Sequence, residues 1–268
     1  MTAESLPETQ RVRVRGIDVA YSDEGSGPVV LSAHGLSSSR ENNRRMGLAE
    51  FREVAGSHRL ISYDARGHGE TEGTADEADY HWSNLAEDLL ALADFFSPDA
   101  PVSAIGSSMG TGTVLHAVTS RPDRFDRLVL TAPPTAWQTR AAQASGYRSL
   151  ADLIENGEPG AWQDLVARMP IPAIFQGLPG YPQPPAVAAD LTPTVFRGAA
   201  GADLPPLDVI GERVTHPTLI IAWAGDPGHP VSTAEALHAA IDGSVLHVSE
   251  TQGDLMTWGA RAAEFLVA

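Results

Sequence analysis

The chain has 268 residues, 43 % of them hydrophobic, and a formal net charge of −16. Its 18 basic residues are all arginine and form no basic run, which argues against a nucleic-acid partner and against anionic membrane surfaces. The absence of cysteine removes disulfides, thiolate metal sites and cysteine nucleophiles together.

No stretch approaches the ~18 apolar residues of a membrane span. Met1 to Gln10 carries Glu4 and Glu8 and no apolar run, so it does not read as a secretory signal. The default placement is soluble and cytoplasmic, without a membrane partner. The length suits one sizeable core that carries one insertion.

Arg11 to Arg15 and Ile17 to Tyr21 both alternate around Gly16, which predicts an antiparallel hairpin with one buried face. Val29 to Ala33 is a short apolar run, suited to a strand buried on both faces, and it ends in His34-Gly35. Arg59 to Tyr63 is a second such strand, followed by Asp64-Ala65-Arg66-Gly67-His68-Gly69. Trp82 to Phe96 has apolar residues at helical spacing, with Ser83 and Asn84 as candidate caps. Strands are expected at Val102 to Ile105 and Leu128 to Leu130, around a helix over Thr111 to Thr119. Prolines then cluster at 170, 172, 179, 182, 184 and 185, and the character changes between Pro133 and His216. The core pattern resumes with a strand over Thr218 to Trp223, a helix over Ser232 to Ile241, a strand over Val245 to Val248 and a helix over Met256 to Leu266. Apolar strands alternating with helices imply a mostly parallel central sheet with helices on both faces. The expected organisation is a core formed by 1–133 and 216–268, with 134–215 as a helical cap over the strand ends, where open α/β sheets bind ligands.

Gly106-Ser107-Ser108-Met109-Gly110 follows an apolar strand directly and opens a helix. That is the setting in which G-x-S-x-G forms a nucleophile elbow. The serine sits on a strained turn, the glycines admit neighbouring backbone, and the helix N-terminus favours negative charge.

With this elbow, His34-Gly35, Asp64-x-Arg66-Gly67-x-Gly69 and Gly225-Asp226 stand in family order, and the chain resembles the α/β-hydrolase superfamily over nearly its whole length. Its small esterase, lactonase and peroxidase-like members are the most similar. The resemblance implies the α/β-hydrolase fold, with Ser108 as nucleophile. It also implies an oxyanion hole from the backbone amides of Met109 and Leu36, worth ~3–4 kcal/mol per donor. His34 is then structural, and Asp64, Arg66 and His68 hold a loop together.

The pattern breaks at the base. A serine hydroxyl needs a histidine that an acid orients. The family places the acid where Asp226 stands and the histidine in the loop after the last strand. That loop, Ser249 to Asp254, contains no histidine; His247 is the last in the chain and belongs inside the strand. His229, three residues after Asp226, is the candidate base, with Asp254 in the vacated histidine position as its orienting acid and Asp226 as the competitor. A purely structural role for His229 in its loop is the alternative. His58, His116, His216 and His238 read as packing or solvated residues, and His81 as a residue at the start of a helix. No pair has metal-ligand spacing, so neither a metal nor a cofactor is expected.

The proline-rich insertion supplies Trp137, Trp162 and Phe175, the expected apolar walls of a substrate pocket, unless they form the insertion's own core. Its arginines form no cluster, so no highly anionic substrate is inferred. The leading expectation is a serine-dependent hydrolase acting on a small, largely apolar ester, lactone or acyl compound through an acyl-enzyme on Ser108. One alternative is a non-hydrolytic enzyme on the same fold, performing an elimination, lyase or isomerase step on a specialised metabolite with His229 as general base. Another is a catalytically silent ligand-binding relative. The partner in each case is a small molecule.

Overall fold

The computed structural model describes residues 7–48, 51–157, 164, 168, 171, 173–178, 181–226 and 228–268. The strands are β1 (Gln10–Val14), β2 (Ile17–Gly25), β3 (Val29–Ala33), β4 (Arg59–Tyr63), β5 (Val102–Ser107), β6 (Phe125–Thr131), β7 (Thr218–Trp223) and β8 (Val245–Ser249). They form one 8-stranded sheet in the order β1-β2-β4-β3-β5-β6-β7-β8. The pairs β1/β2 and β2/β4 are antiparallel, and the pairings from β4 across to β8 are parallel. Every residue of β3, β5 and β7 is buried. This is why their sequences are continuous apolar runs rather than alternating ones: a parallel strand in the centre is covered on both faces.

The helices are α1 (Arg40–Met46), α2 (Trp82–Phe96), α3 (Met109–Ser120), α4 (Arg140–Asn156), α5 (Thr192–Gly201), α6 (Leu207–Arg213), α7 (Val231–Ala240), α8 (Gln252–Leu255) and α9 (Trp258–Val267). Two hydrophobic clusters lie on opposite sides of the sheet. One gathers Leu31, Leu89, Leu115 and Leu130 with α2 and α3; the other gathers Leu60, Ile105, Ile221 and Trp258 with α9. Alternate residues of β3 and β5 contribute to each, as the period of two requires. Between β6 and β7 the chain runs through α4, α5 and α6; α4 packs on α5, whereas α6 packs on α3 and α7. Among the described residues, no helix is long and apolar enough to cross a membrane.

The expected boundaries differ from the structure mainly at helix ends. Helix α2 has His81 as its N-cap residue, without a side-chain cap bond, so Ser83 and Asn84 lie inside the helix. The expected last helix, Met256 to Leu266, is α9, which begins at Trp258, and the short helix α8 precedes it without a counterpart among the expected elements.

From β3 the chain crosses to β4 on one side, while β5 lies on the other. The switch of direction therefore falls between β3 and β5, and the residues that follow those two strands are His34-Gly35 and Ser108. A crevice at such a switch is where an open parallel sheet offers a site.

Candidate active site

Ser108 stands between β5 and α3 with φ 52° and ψ −110°. A non-glycine residue in this region is strained, and the surroundings hold it there. Its own amide donates to Thr131 O at 3.0 Å, and its carbonyl accepts from Thr111 N at 2.9 Å. Behind it, the Thr111 hydroxyl lies 2.9 Å from both Gly106 O and Thr131 O, and the Ser107 and Thr131 hydroxyls are 2.6 Å apart. The motif glycines are required by space. A Cβ on Gly106 would stand 2.4 Å from Gly110 O, and one on Gly110 would stand 2.1 Å from Ala33 O. The loop after β3 closes on the same point, since a Cβ on Gly35 would lie 3.4 Å from Ser108 Cβ.

That loop is clamped by His34. Ala65 N donates to His34 Nε2 at 2.9 Å, so the ring's proton is on Nδ1, which donates to Gly35 O at 2.8 Å. Burial lowers the His34 pKa, which keeps the ring neutral. Leu36, the expected second oxyanion donor, follows directly and packs partly buried against the core. Met109 is the first residue of α3, a position whose amide has no intrahelical acceptor. Asp64, Arg66 and His68 are built into the neighbouring loop. Asp64 accepts from the amides of Arg40 and Glu70 at 2.9 and 3.0 Å, Arg66 pairs with Asp88 at 2.8 Å, and His68 Nδ1 lies 2.9 Å from Arg66 O.

His229 reaches the elbow. Its Nε2 lies 2.8 Å from Ser108 Oγ, and its Nδ1 lies 2.9 Å from Asp226 Oδ2. The local sequence makes this possible. Asp226 Oδ1 accepts from Gly228 N at 2.7 Å, and the Asp226 carbonyl accepts from His229 N at 3.2 Å. This aspartate-led turn folds the loop back so that an acid and a base three residues apart face one another. Thr135 N donates to Gly228 O at 3.1 Å and ties the loop to the segment after β6. Burial works to raise the Asp226 pKa, but the His229 hydrogen bond and charge, with the amides of Gly228 and His229, outweigh it and hold the carboxyl below its ordinary value.

Asp254, expected to orient His229, is engaged elsewhere. It lies 3.0 Å from His247 Nε2 and accepts from Arg261 at 3.1 Å. The vacated loop has thus become a surface ion network, and the orienting contact belongs to Asp226. The physical reason is distance along the fold: His247 lies on β8, next to the start of α8 where Asp254 sits, and takes the carboxylate first.

The aromatic surroundings of His229 carried no sequence motif. The Trp223 ring lies 5.1 Å from the His229 ring at 53°. Trp223 also meets Phe175 edge-on at 5.2 Å and Trp258 at 5.4 Å. Phe175, expected to line a pocket, is buried between Trp223 and Tyr181, one ring removed from the base. Trp137 is tied down at both ends: its amide donates to Asp203 at 3.0 Å and its indole to Pro205 O at 3.0 Å. Trp162 lies outside the described residues. Among the described residues, no group of three His, Asp or Glu is gathered to hold a metal ion.

A model of the alpha/beta hydrolase fold family matches residues 28–167. The chain belongs to that family. It is 26 % identical over 168 residues to an epoxide hydrolase of Caballeronia sordidicola, an alignment covering 59 % of this chain and 50 % of that protein. The chain thus matches about half the length of that relative. It is 25 % identical to a putative carbamate hydrolase, RutD, of Klebsiella pneumoniae, covering 92 % of this chain and 89 % of the other. Among solved structures, a thermophilic esterase from Thermogutta terrifontis superposes with a TM-score of 0.74 at 20 % identity, over 97 % of both chains. A structure described as an N-acyl homoserine lactone degrading enzyme superposes with a TM-score of 0.71 at 18 % identity, over 96 % of this chain and 99 % of the other.

Proposed function

We propose that this member of the family is a serine hydrolase of small, largely apolar esters, lactones or related acyl compounds, with Ser108, His229 and Asp226 as its triad. The observation that carries the reading is the unbroken line from Ser108 Oγ to His229 Nε2 at 2.8 Å and from His229 Nδ1 to Asp226 Oδ2 at 2.9 Å. That is the geometry a base needs: one ring nitrogen faces the hydroxyl while the other donates to a carboxylate that fixes the tautomer.

In this mechanism Ser108 Oγ attacks the acyl carbon as its proton passes to His229 Nε2. Asp226 remains ionised and stabilises the imidazolium. The amides of Met109 and Leu36 receive the oxyanion of the tetrahedral intermediate. The carbonyl re-forms, the bond to the leaving oxygen breaks, and that oxygen takes the proton from Nε2. Water then attacks the acyl-enzyme with His229 as base, which releases the acid and restores Ser108. The elimination reading rests on the altered position of the base, and the silent-relative reading on the lack of a usable one. With Nε2 in reach of Ser108, nothing in the site favours either over acyl transfer.

A fluorophosphonate probe tests the reading. Labelling is expected for the wild type, lost in Ser108→Ala and slowed by ~10²-fold or more in His229→Ala. Labelling that persists in Ser108→Ala overturns it.

A further inference from the structure

Arg140 opens α4 and its side chain is buried. Its Nε–H donates to Ala202 O at 2.7 Å and its Nη2 donates to Ala199 O, two carbonyls at the C-terminal end of α5. The last carbonyls of a helix have no intrahelical donors and favour a cation. The guanidinium carbon lies 4.4 Å from the centre of the Trp82 ring and 5.5 Å from that of Tyr147. Carbonyl oxygens and aromatic faces therefore meet the buried charge. Asp203, which also favours the cation, gives its carboxylate to the amides of Trp137 and Leu204 at 3.0 and 2.8 Å.

The same guanidinium reaches toward the base. Its Nη1 donates to Thr135 Oγ1 at 3.4 Å. Thr135 is buried, and its amide donates to Gly228 O at 3.1 Å. Gly228 directly precedes His229, and its own amide is held by Asp226 at 2.7 Å. Because Asp226 and His229 share this turn, any displacement of it moves acid and base together, away from the 2.8 Å contact with Ser108 Oγ. On its other side, Arg140 rests on Trp82, which starts α2 and packs against α3, the helix that Ser108 caps. A Cβ on Gly112 of α3 would stand 2.3 Å from the Trp82 ring. A planar fork of N–H donors can serve α5, the Trp82 face and Thr135 at once, which an ammonium cannot.

We infer that Arg140 is a positioning residue for the base: it docks the end of α5 on the core and, through Thr135, fixes the Asp226–His229 turn against Ser108. Alignment of the base then depends on α5 being seated. The inference rests on the Ser108 acyl-transfer reading for its effect on turnover, and on these contacts alone for its effect on the His229 ring.

The test compares the wild type with Arg140→Ala, Arg140→Lys and Thr135→Val on p-nitrophenyl acetate, with near-UV circular dichroism to establish folding. Arg140→Ala should lower kcat by ~10–10²-fold, as for reacting groups misplaced by up to about 1 Å, while KM stays within about threefold. Arg140→Lys should recover little of the loss. Millimolar guanidinium, far below a denaturing concentration, should restore much of the Arg140→Ala turnover, and equal ammonium chloride should not. When Arg140→Ala and Thr135→Val are combined, their losses should be less than additive. A second readout needs no turnover. The downfield proton resonance of His229 Nδ1, assigned by its absence in His229→Ala, should be lost or shifted in Arg140→Ala and should return with guanidinium. A folded Arg140→Ala with wild-type kcat and resonance overturns the inference and leaves the triad standing. Fully additive losses overturn the route through Thr135. A guanidinium-sensitive resonance in a protein whose Ser108 takes no fluorophosphonate label leaves the inference standing and overturns the acyl transfer. If Arg140→Ala does not fold, Arg140→Lys and Thr135→Val decide by the same two readouts, and wild-type values in both overturn the inference.

Discussion

Asp226 Oδ2 accepts from His229 Nδ1 at 2.9 Å across a spacing of three residues within one loop, so acid and base of the candidate triad come from the same turn. Asp254, at the position where the family usually keeps its histidine, is bound to His247 and Arg261 instead. The two aspartates therefore separate cleanly by experiment. Asp226→Asn should lower kcat by ~10²–10⁴, because an amide can present a donor to Nδ1 and so favour the wrong tautomer. Asp254→Asn should leave kcat within about threefold, its loss being confined to a partly exposed ion network. Steady-state kinetics on the best ester decides, and the reverse order would reassign the orienting acid to Asp254.

How far this site is legible in sequence depends on the residue. Ser108, the motif glycines and the β3 loop are readable because close backbone approach leaves no other residue type possible at Gly106 and Gly110. His229 is readable by elimination, since the loop after β8 holds no histidine. Asp254 is the sequence expectation because it stands in the vacated histidine position, with Asp226 as its competitor. The clue was there in Asp226-Pro227-Gly228, an aspartate-led turn signature that folds the loop back. Trp223 was hidden for another reason: inside an apolar strand nothing separates an aromatic that touches the base from one that merely packs.

Trp223 is the next testable residue. Its ring lies 5.1 Å from His229, and Phe175 and Trp258 hold it from two other sides. The negative face of an indole favours a neighbouring imidazolium, an effect of ~0.5–2 kcal/mol. Trp223→Leu should lower kcat about tenfold at nearly constant KM, and Trp223→Phe should recover most of that loss. If Leu and Phe are equivalent, the ring acts as filler and not as a support for the base.

The elbow's geometry gives a third expectation. A Cβ at Gly110 would stand 2.1 Å from the Ala33 carbonyl, so Gly110→Ala must push β3 and α3 apart at the point where the nucleophile is set. Overpacking of this kind costs ~1–3 kcal/mol, and misplacement of reacting groups by about 1 Å costs ~10²-fold in rate. Urea unfolding and kcat should both register the change. Full activity in Gly110→Ala would show that the contact is not tight.

His68 sets the response to acid. It is buried, and burial, reinforced by the nearby His34, lowers its pKa to about 3. Its Nδ1 donates to Arg66 O at 2.9 Å, while Nε2 is buried without a hydrogen-bond partner. Protonation would therefore place a second N–H where no acceptor waits, at the full cost of an unmade bond. In the unfolded chain the same ring titrates near 6.5. Between those two values the unfolded state binds more protons than the folded one, so stability rises with pH across the window and is lost as the pH falls from about 6.5 toward 3. At pH 5 the difference amounts to about 2 kcal/mol from this residue. His34, also lowered by burial, adds a loss of the same sign. In His68→Asn the amide can still donate to Arg66 O but cannot take up a proton. Urea midpoints measured at pH 7, 6 and 5 should therefore fall less steeply for the variant than for the wild type, whatever the offset between them at pH 7. Parallel lines would mean that His68 is not held neutral in the folded protein.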